Sequence, residues 1–206
     1  MSEDTWLAFL TRGGVLMIPI LVCSVIGFAL IIDRLLAYRR LNLSGFGMDE
    51  AVRKAFGRGD AATARTLLEG SMTAGGMVLA DTLKRAGVME TGSLQAAFAL
   101  SASDLIRAME SYLRGLATIA AISPLLGLLG TVVGMIRAFM QIESHGANVS
   151  ARLLAGGIWE ALLTTAAGLS VAIPCLLFHN LFQGRIEWVE GQLINLAAEL
   201  ENATGD

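Results

Sequence analysis

Three apolar stretches, Val15 to Ile32, Leu116 to Ile136 and Ala161 to Phe178, interrupt an otherwise mixed pattern, and none of them holds a charged residue. At a rise of about 1.5 Å per residue, each is long enough to cross a hydrocarbon core about 30 Å thick. With their flanks they predict spans over residues 15–34, 115–137 and 158–180. All three prolines, Pro19, Pro124 and Pro174, fall inside these stretches, one in each. Proline in a soluble helix interior costs about 3 kcal/mol. Packed membrane helices tolerate it, because neighbours satisfy the carbonyl it leaves free.

The remaining chain reads as short and extended helices. Asp49 to Phe56 is amphipathic, Asp60 is placed to cap a helix that stops at Gly70, and a further helix is expected over Gly76 to Arg85. From Ser93 onward, Phe98, Ala102, Leu105, Met109, Tyr112 and Leu116 repeat every three or four residues and lead into the second span without a breaker. One uninterrupted helix is therefore expected there. Ile186, Val189, Leu193, Leu196 and Leu200 extend the third span with a similar stripe. The two extensions are expected to pack together. The pattern thus predicts an all-α membrane protein with three transmembrane helices and long cytoplasmic helical extensions, residues 39–114 and 184–206. No internal repeat or linker divides it, so residues 1–206 are expected to form a single domain.

Composition and charge add an orientation. Hydrophobic residues make up 54% of the chain and charged ones 16%, with a mean hydropathy of +0.62, outside the soluble norm. Ten of the fifteen Lys and Arg residues lie from Arg39 to Arg114. The positive-inside rule puts that segment and the tail in the cytoplasm, and the N-terminus and the connector from Arg137 to Gly157 outside. The acidic leader, with Glu3 and Asp4 and no small-residue cleavage site, points to an uncleaved anchor. Cys23 and Cys175 lie within spans, where a thiol behaves as a small hydrophobe. The net charge of −3 implies no nucleic-acid partner.

Small residues mark one side of two spans. Gly127, Gly130, Thr131 and Gly134 recur at helical spacing, and Gly130 and Gly134 form a small-xxx-small pair that admits another backbone. Ala161, Thr165, Gly168 and Ala172 make a similar stripe, with Thr164 and Ser170 beside it and Glu160 about one turn above Thr165. These faces are expected to meet neighbouring protomers or a central partner. A hydroxyl on such a face either bonds back to its own helix or lines a polar path. Thr131 and Thr165, at similar depth, leave both readings open. No carboxylate lies at mid-depth, since Asp33 and Glu160 sit near span ends, so a proton path would need one from another polypeptide. His145 and His179 form no metal cluster, and no catalytic motif is present, so neither an enzyme nor a cofactor or metal site is expected.

The runs Ser123 to Met135 and Glu160 to Leu169, the trailing Ala172-Ile173-Pro174, and the opening Gly13-Gly14 with Pro19 and Asp33-Arg34 resemble the MotA/TolQ/ExbB proton-channel family. Similarity extends from about Trp6 to Leu200. Glu is more usual in the family at the Asp33 position. MotA-type members have four spans, so three spans resemble the ExbB branch most closely and TolQ next. The resemblance implies a homopentamer in the bacterial inner membrane, with a periplasmic N-terminus. Its second and third spans would enclose an ExbD- or TolR-like one-span partner that supplies an essential Asp. Proton flow would then drive rotation and energise a TonB-like protein, or a TolA-like one in envelope maintenance. It also implies proton-path roles for Thr131, Thr165 and Glu160, whereas Gly127, Gly130, Gly134, Gly168, Pro124 and Pro174 serve helix packing. From the residues alone, a structural scaffold without an ion path stays open. A secondary transporter fits poorly, because three spans hold no inverted repeat.

Single cysteines test the orientation. From outside, one near Ser144 should react with an impermeant reagent and one near Gly59 should stay silent; the opposite pattern would reverse the topology.

Overall fold

The computed structural model describes residues 14–40, 43, 45–71, 73–87, 94–145 and 151–204. The leader with Gly13 and the connector tip at 146–150 lie outside the described residues. Among those described, seven helices follow in order: α1 (Met17–Arg40), α2 (Glu50–Gly57), α3 (Ala61–Leu68), α4 (Ala74–Ala86), α5 (Leu94–Glu110), α6 (Leu113–His145) and α7 (Ala151–Thr204). No strand occurs among them. Three helical stretches, in α1, α5–α6 and α7, are long and apolar enough to cross a membrane, with mean hydropathies of 2.3, 2.1 and 2.0. The protein is an all-α, multi-pass membrane protein.

The chain divides into two compact units, Met1–Ile32 with Tyr112–Asn180, and Asp33–Ser111 with Leu181–Asp206. The first contains the apolar parts of α1, α6 and α7. Val15, Ile18, Leu125, Phe139 and Ile173 remain exposed on it, as lipid-facing side chains should be. Inside, helices approach closely at glycines. A Cβ on Gly27 would stand 2.7 Å from the Cys175 Sγ, and one on Gly115 would stand 3.3 Å from Leu30.

The second unit is a small helical core. Val52, Phe56, Leu68, Val78, Leu79, Phe98, Met109, Ile186, Val189, Leu193, Leu196 and Leu200 are buried in it. The Asp60 carboxylate accepts from the Thr63 amide at 3.0 Å, capping α3 as expected, and Gly70 turns the chain just after it at φ +88°. Hydrogen bonding to Thr63 holds Asp60 below the usual carboxylate range. Thr73 caps α4 through the Gly76 amide. Asp81 bridges α4 and α5 by accepting from Ser101 at 2.8 Å and Arg85 at 2.6 Å. Burial pushes this carboxyl upward, but the two hydrogen bonds and the nearby Arg85 and Lys84 charges outweigh it and leave it lowered. The tail joins this core as its apolar stripe suggests. Tyr38 stacks on Phe182 with centroids 5.1 Å apart, Trp188 meets Phe46 edge-on, and Glu199 accepts from the Met48 amide at 3.0 Å.

One expectation is corrected. The stripe from Ser93 into the second span is two helices, because α5 ends at Glu110 and α6 begins at Leu113. Between them Tyr112 adopts φ +64°, a conformation unfavourable for a bulky side chain. Donors from α1 sustain the break. The largely buried Arg34 donates from Nη1 to the Ala108 carbonyl at 3.0 Å and the Ser111 Oγ at 2.7 Å, and the Tyr38 hydroxyl donates to the Met109 carbonyl at 3.1 Å. Carbonyls that an unbroken helix would bond to residues 112 and 113 thus accept from side chains.

Replacing Arg34 by Met should lower the thermal stability of the purified protein by on the order of 2 kcal/mol, since it orphans charge-assisted bonds. The exposed Arg53, 3.7 Å from Glu199, should give less than about 1 kcal/mol in the same melt. Equal shifts would refute the capping role.

Candidate functional site

The three-and-four spacing of small residues brings α6 and α7 into backbone contact. A Cβ on Gly127 would lie 3.0 Å from both the Thr164 carbonyl and the Thr165 Cα, one on Gly134 would lie 3.0 Å from the Ala161 Cβ, and one on Gly168 only 2.5 Å from the Ser123 carbonyl. On Gly130 it would collide with the Thr164 side chain. The four glycines named in the sequence therefore line one seam within the chain. At these four glycines the two helices use their small faces on each other, where a neighbouring protomer or a partner was expected.

The prolines flank this seam. Pro124 is half-buried in α6 and follows Ser123, a fully buried residue whose hydroxyl donates to the Ile119 carbonyl at 2.7 Å. Pro174 is half-buried in α7, which continues through it.

The two threonines take different positions. Thr165 donates from Oγ1 to the Gly127 carbonyl across the seam at 3.0 Å. Thr131 lies one turn further along α6 and donates to the Leu128 carbonyl of its own helix at 2.7 Å. Both are half-buried. Each hydroxyl spends its one proton on a carbonyl and keeps its oxygen available as an acceptor. The structure thus joins Thr165 to Gly127, and Gly127 to Gly168, while Thr131 bonds only locally.

Glu160 stands at the end of the seam toward the α6–α7 connector. Its carboxylate accepts from the Arg137 Nη1 at 2.8 Å. A Cβ on Gly14, which has φ +68°, would collide with that carboxylate and stand 3.4 Å from the guanidinium. Sequence reasoning named Arg137 and Ser123 only as bounds of segments and Thr164 only as a neighbour of the small-residue stripe, and gave none of them a part in the site. Arg137 carried a signal, as a cation at one span end opposite an acid at the facing end. Thr164 carried none, since its adjacency to Thr165 does not say which hydroxyl points at Gly130. Among the described residues, no cluster of His, Cys, Asp and Glu could hold a metal ion.

A family model described as the MotA/TolQ/ExbB proton channel family matches residues 67–194, which include α5, α6 and the seam. The chain belongs to the MotA/TolQ/ExbB family. Similar proteins include the biopolymer transport protein ExbB-like 1 of Synechocystis sp., 37% identical over 81% of this chain and 66% of its own length. The Tol-Pal system protein TolQ of Haemophilus influenzae is 38% identical over 46% of this chain and 41% of its own length. The biopolymer transport protein ExbB of Salmonella typhimurium is 43% identical over 41% and 34%. The matched region thus spans between one third and two thirds of these relatives' lengths.

Gly168→Leu should overpack the seam of this MotA/TolQ/ExbB-family protein by at least 1–3 kcal/mol, about the usual cost of forcing methylenes into a filled site. Loss of membrane accumulation or of a cooperative melt is expected, whereas the exposed Gly184→Leu should be tolerated. A normal melt for Gly168→Leu would mean the two helices do not touch there.

Proposed function

We propose that this chain is the proton-conducting subunit of an ExbB–ExbD-like inner-membrane complex that uses the proton motive force to energise TonB-dependent transport across the outer membrane. The observation that carries this reading is the Thr165 hydroxyl at the α6–α7 seam, bonded to Gly127 and keeping its oxygen as an acceptor, in a chain of a proton-channel family. A protonated carboxyl of a partner helix could donate to that oxygen, and on losing its proton would give the bond up. The apolar spans offer no carboxylate of their own at that depth, which supports a one-span partner that brings an Asp. Glu160 is the entry group and Thr131 a second hydroxyl on the path.

Several finer features belong to the same proposal. The chain works as a homopentameric motor subunit around the ExbD- or TolR-like helices, with residues 1–206 acting as one domain. Its N-terminus is periplasmic, its tail cytoplasmic, and it performs no catalysis. A TolQ-like role in the Tol-Pal system, acting on a TolA-like protein, is the second reading, supported by the similarity to the Haemophilus influenzae TolQ. A scaffold without an ion path is the third, supported by the local hydrogen bond that occupies Thr131.

Thr165→Val keeps the volume and removes the hydroxyl. Losing one hydrogen bond to the partner's carboxyl costs about 1 kcal/mol. Proton flux through the complex in proteoliposomes should fall several-fold with oligomer size unchanged. Ser170, which bonds the Ala166 carbonyl of its own helix, gives the control, and Ser170→Ala should be mild. Full flux in both Thr165→Val and Thr131→Val would mean that the two hydroxyls are structural filler, whereas no flux through the wild-type complex would favour the scaffold.

A further inference from the structure

The Arg137–Glu160 pair joins α6 to α7 across 23 residues of sequence. Beneath it lies a cavity of about 20 Å³, bounded by Gly130, Val133 and Thr164 and closed on the α1 side by Val15 and Leu16. That volume holds about one water molecule. The Gly14 turn lies directly against the Glu160 carboxylate, at a position where any side chain would collide with it. Three elements thus converge on one carboxylate, and the Arg137 side chain, 46% exposed, is not locked in by its surroundings.

We propose that Arg137 is a positioning residue that latches the outer mouth by holding the Glu160 carboxylate, and that protonation of Glu160 releases it. This inference rests on the proton-path reading of Glu160. A proton arriving from outside bonds to the carboxylate oxygen and cancels its charge. The guanidinium, left without a counter-charge, rotates to solvent and uncovers the cavity above Thr164. When the proton moves on, the carboxylate recovers its charge and the pair closes again. Among the described residues that line this place, Arg137 from α6 and Glu160 from α7 are the charged groups, and the turn before α1 brings only Val15 and Leu16. The latch therefore consists of one carboxylate facing one fixed cation at 2.8 Å.

The test uses dicyclohexylcarbodiimide, an apolar reagent that adds to protonated carboxyl groups, on the full chain in right-side-out membrane vesicles. Mass spectrometry of the peptide that contains Glu160 reads the modification. The wild type should label little at neutral external pH and several-fold more on acidification. Arg137→Gln should label at neutral pH as the wild type does in acid, and Arg137→Lys should restore much of the protection. Gly14→Ala, which removes neither charge but pushes the carboxylate out of place, should also raise labelling at neutral pH. It remains readable if Arg137→Gln does not reach the membrane. Wild-type labelling in both Arg137→Gln and Gly14→Ala would overturn the latch. Because labelling needs no proton flux, that failure is distinct from unimpaired flux in the threonine variants, which would overturn the part of the two hydroxyls in the path.

Discussion

Everything at the candidate site depends on two helix backbones being allowed to touch. In a membrane no hydrophobic force drives one apolar helix against another, so close packing and short polar contacts must hold α6 to α7. Gly127, Gly130, Gly134 and Gly168 remove the side chains that would keep the axes apart. Only at that separation does the Thr165 hydroxyl reach the Gly127 carbonyl on the facing helix. The same proximity fills the space over Gly130 with Thr164 and brings the Arg137 guanidinium to Glu160. Widening the seam by one methyl group would pull the Thr165 hydroxyl off the Gly127 carbonyl, because so short a side chain cannot follow.

Much of the fold could be read from the chain. Uninterrupted apolar runs set the three spans, and Asp60 and Gly70 mark helix ends by local chemistry that needs no tertiary context. The break at Ser111 and Tyr112 was illegible for the opposite reason. Nothing local opposes a helix there, and the donors that replace its hydrogen bonds come from Arg34 and Tyr38, more than seventy residues away.

The site was half legible. A row of small residues says that something comes close, but not what comes close. The glycines were expected to face another subunit, and they face their own chain. Thr131 and Thr165 look equivalent by spacing, yet one bonds across the seam and the other along its own helix, a difference set by about one turn of register. The pairing of Arg137 with Glu160 needed the fold, since the chain that separates them gives no indication of its path.

Arg34 also bears on how the protein is made. Its acceptors, the Ala108 carbonyl and the Ser111 hydroxyl, lie 74 and 77 residues later in the chain. When the first helix enters the bilayer during synthesis, those groups do not yet exist, and the cation must be served by water or lipid phosphate beside Asp33. The first helix can therefore insert early but can dock only after α5 is complete. The contact that anchors the finished helix is therefore one that the order of synthesis leaves open until α5 has been made.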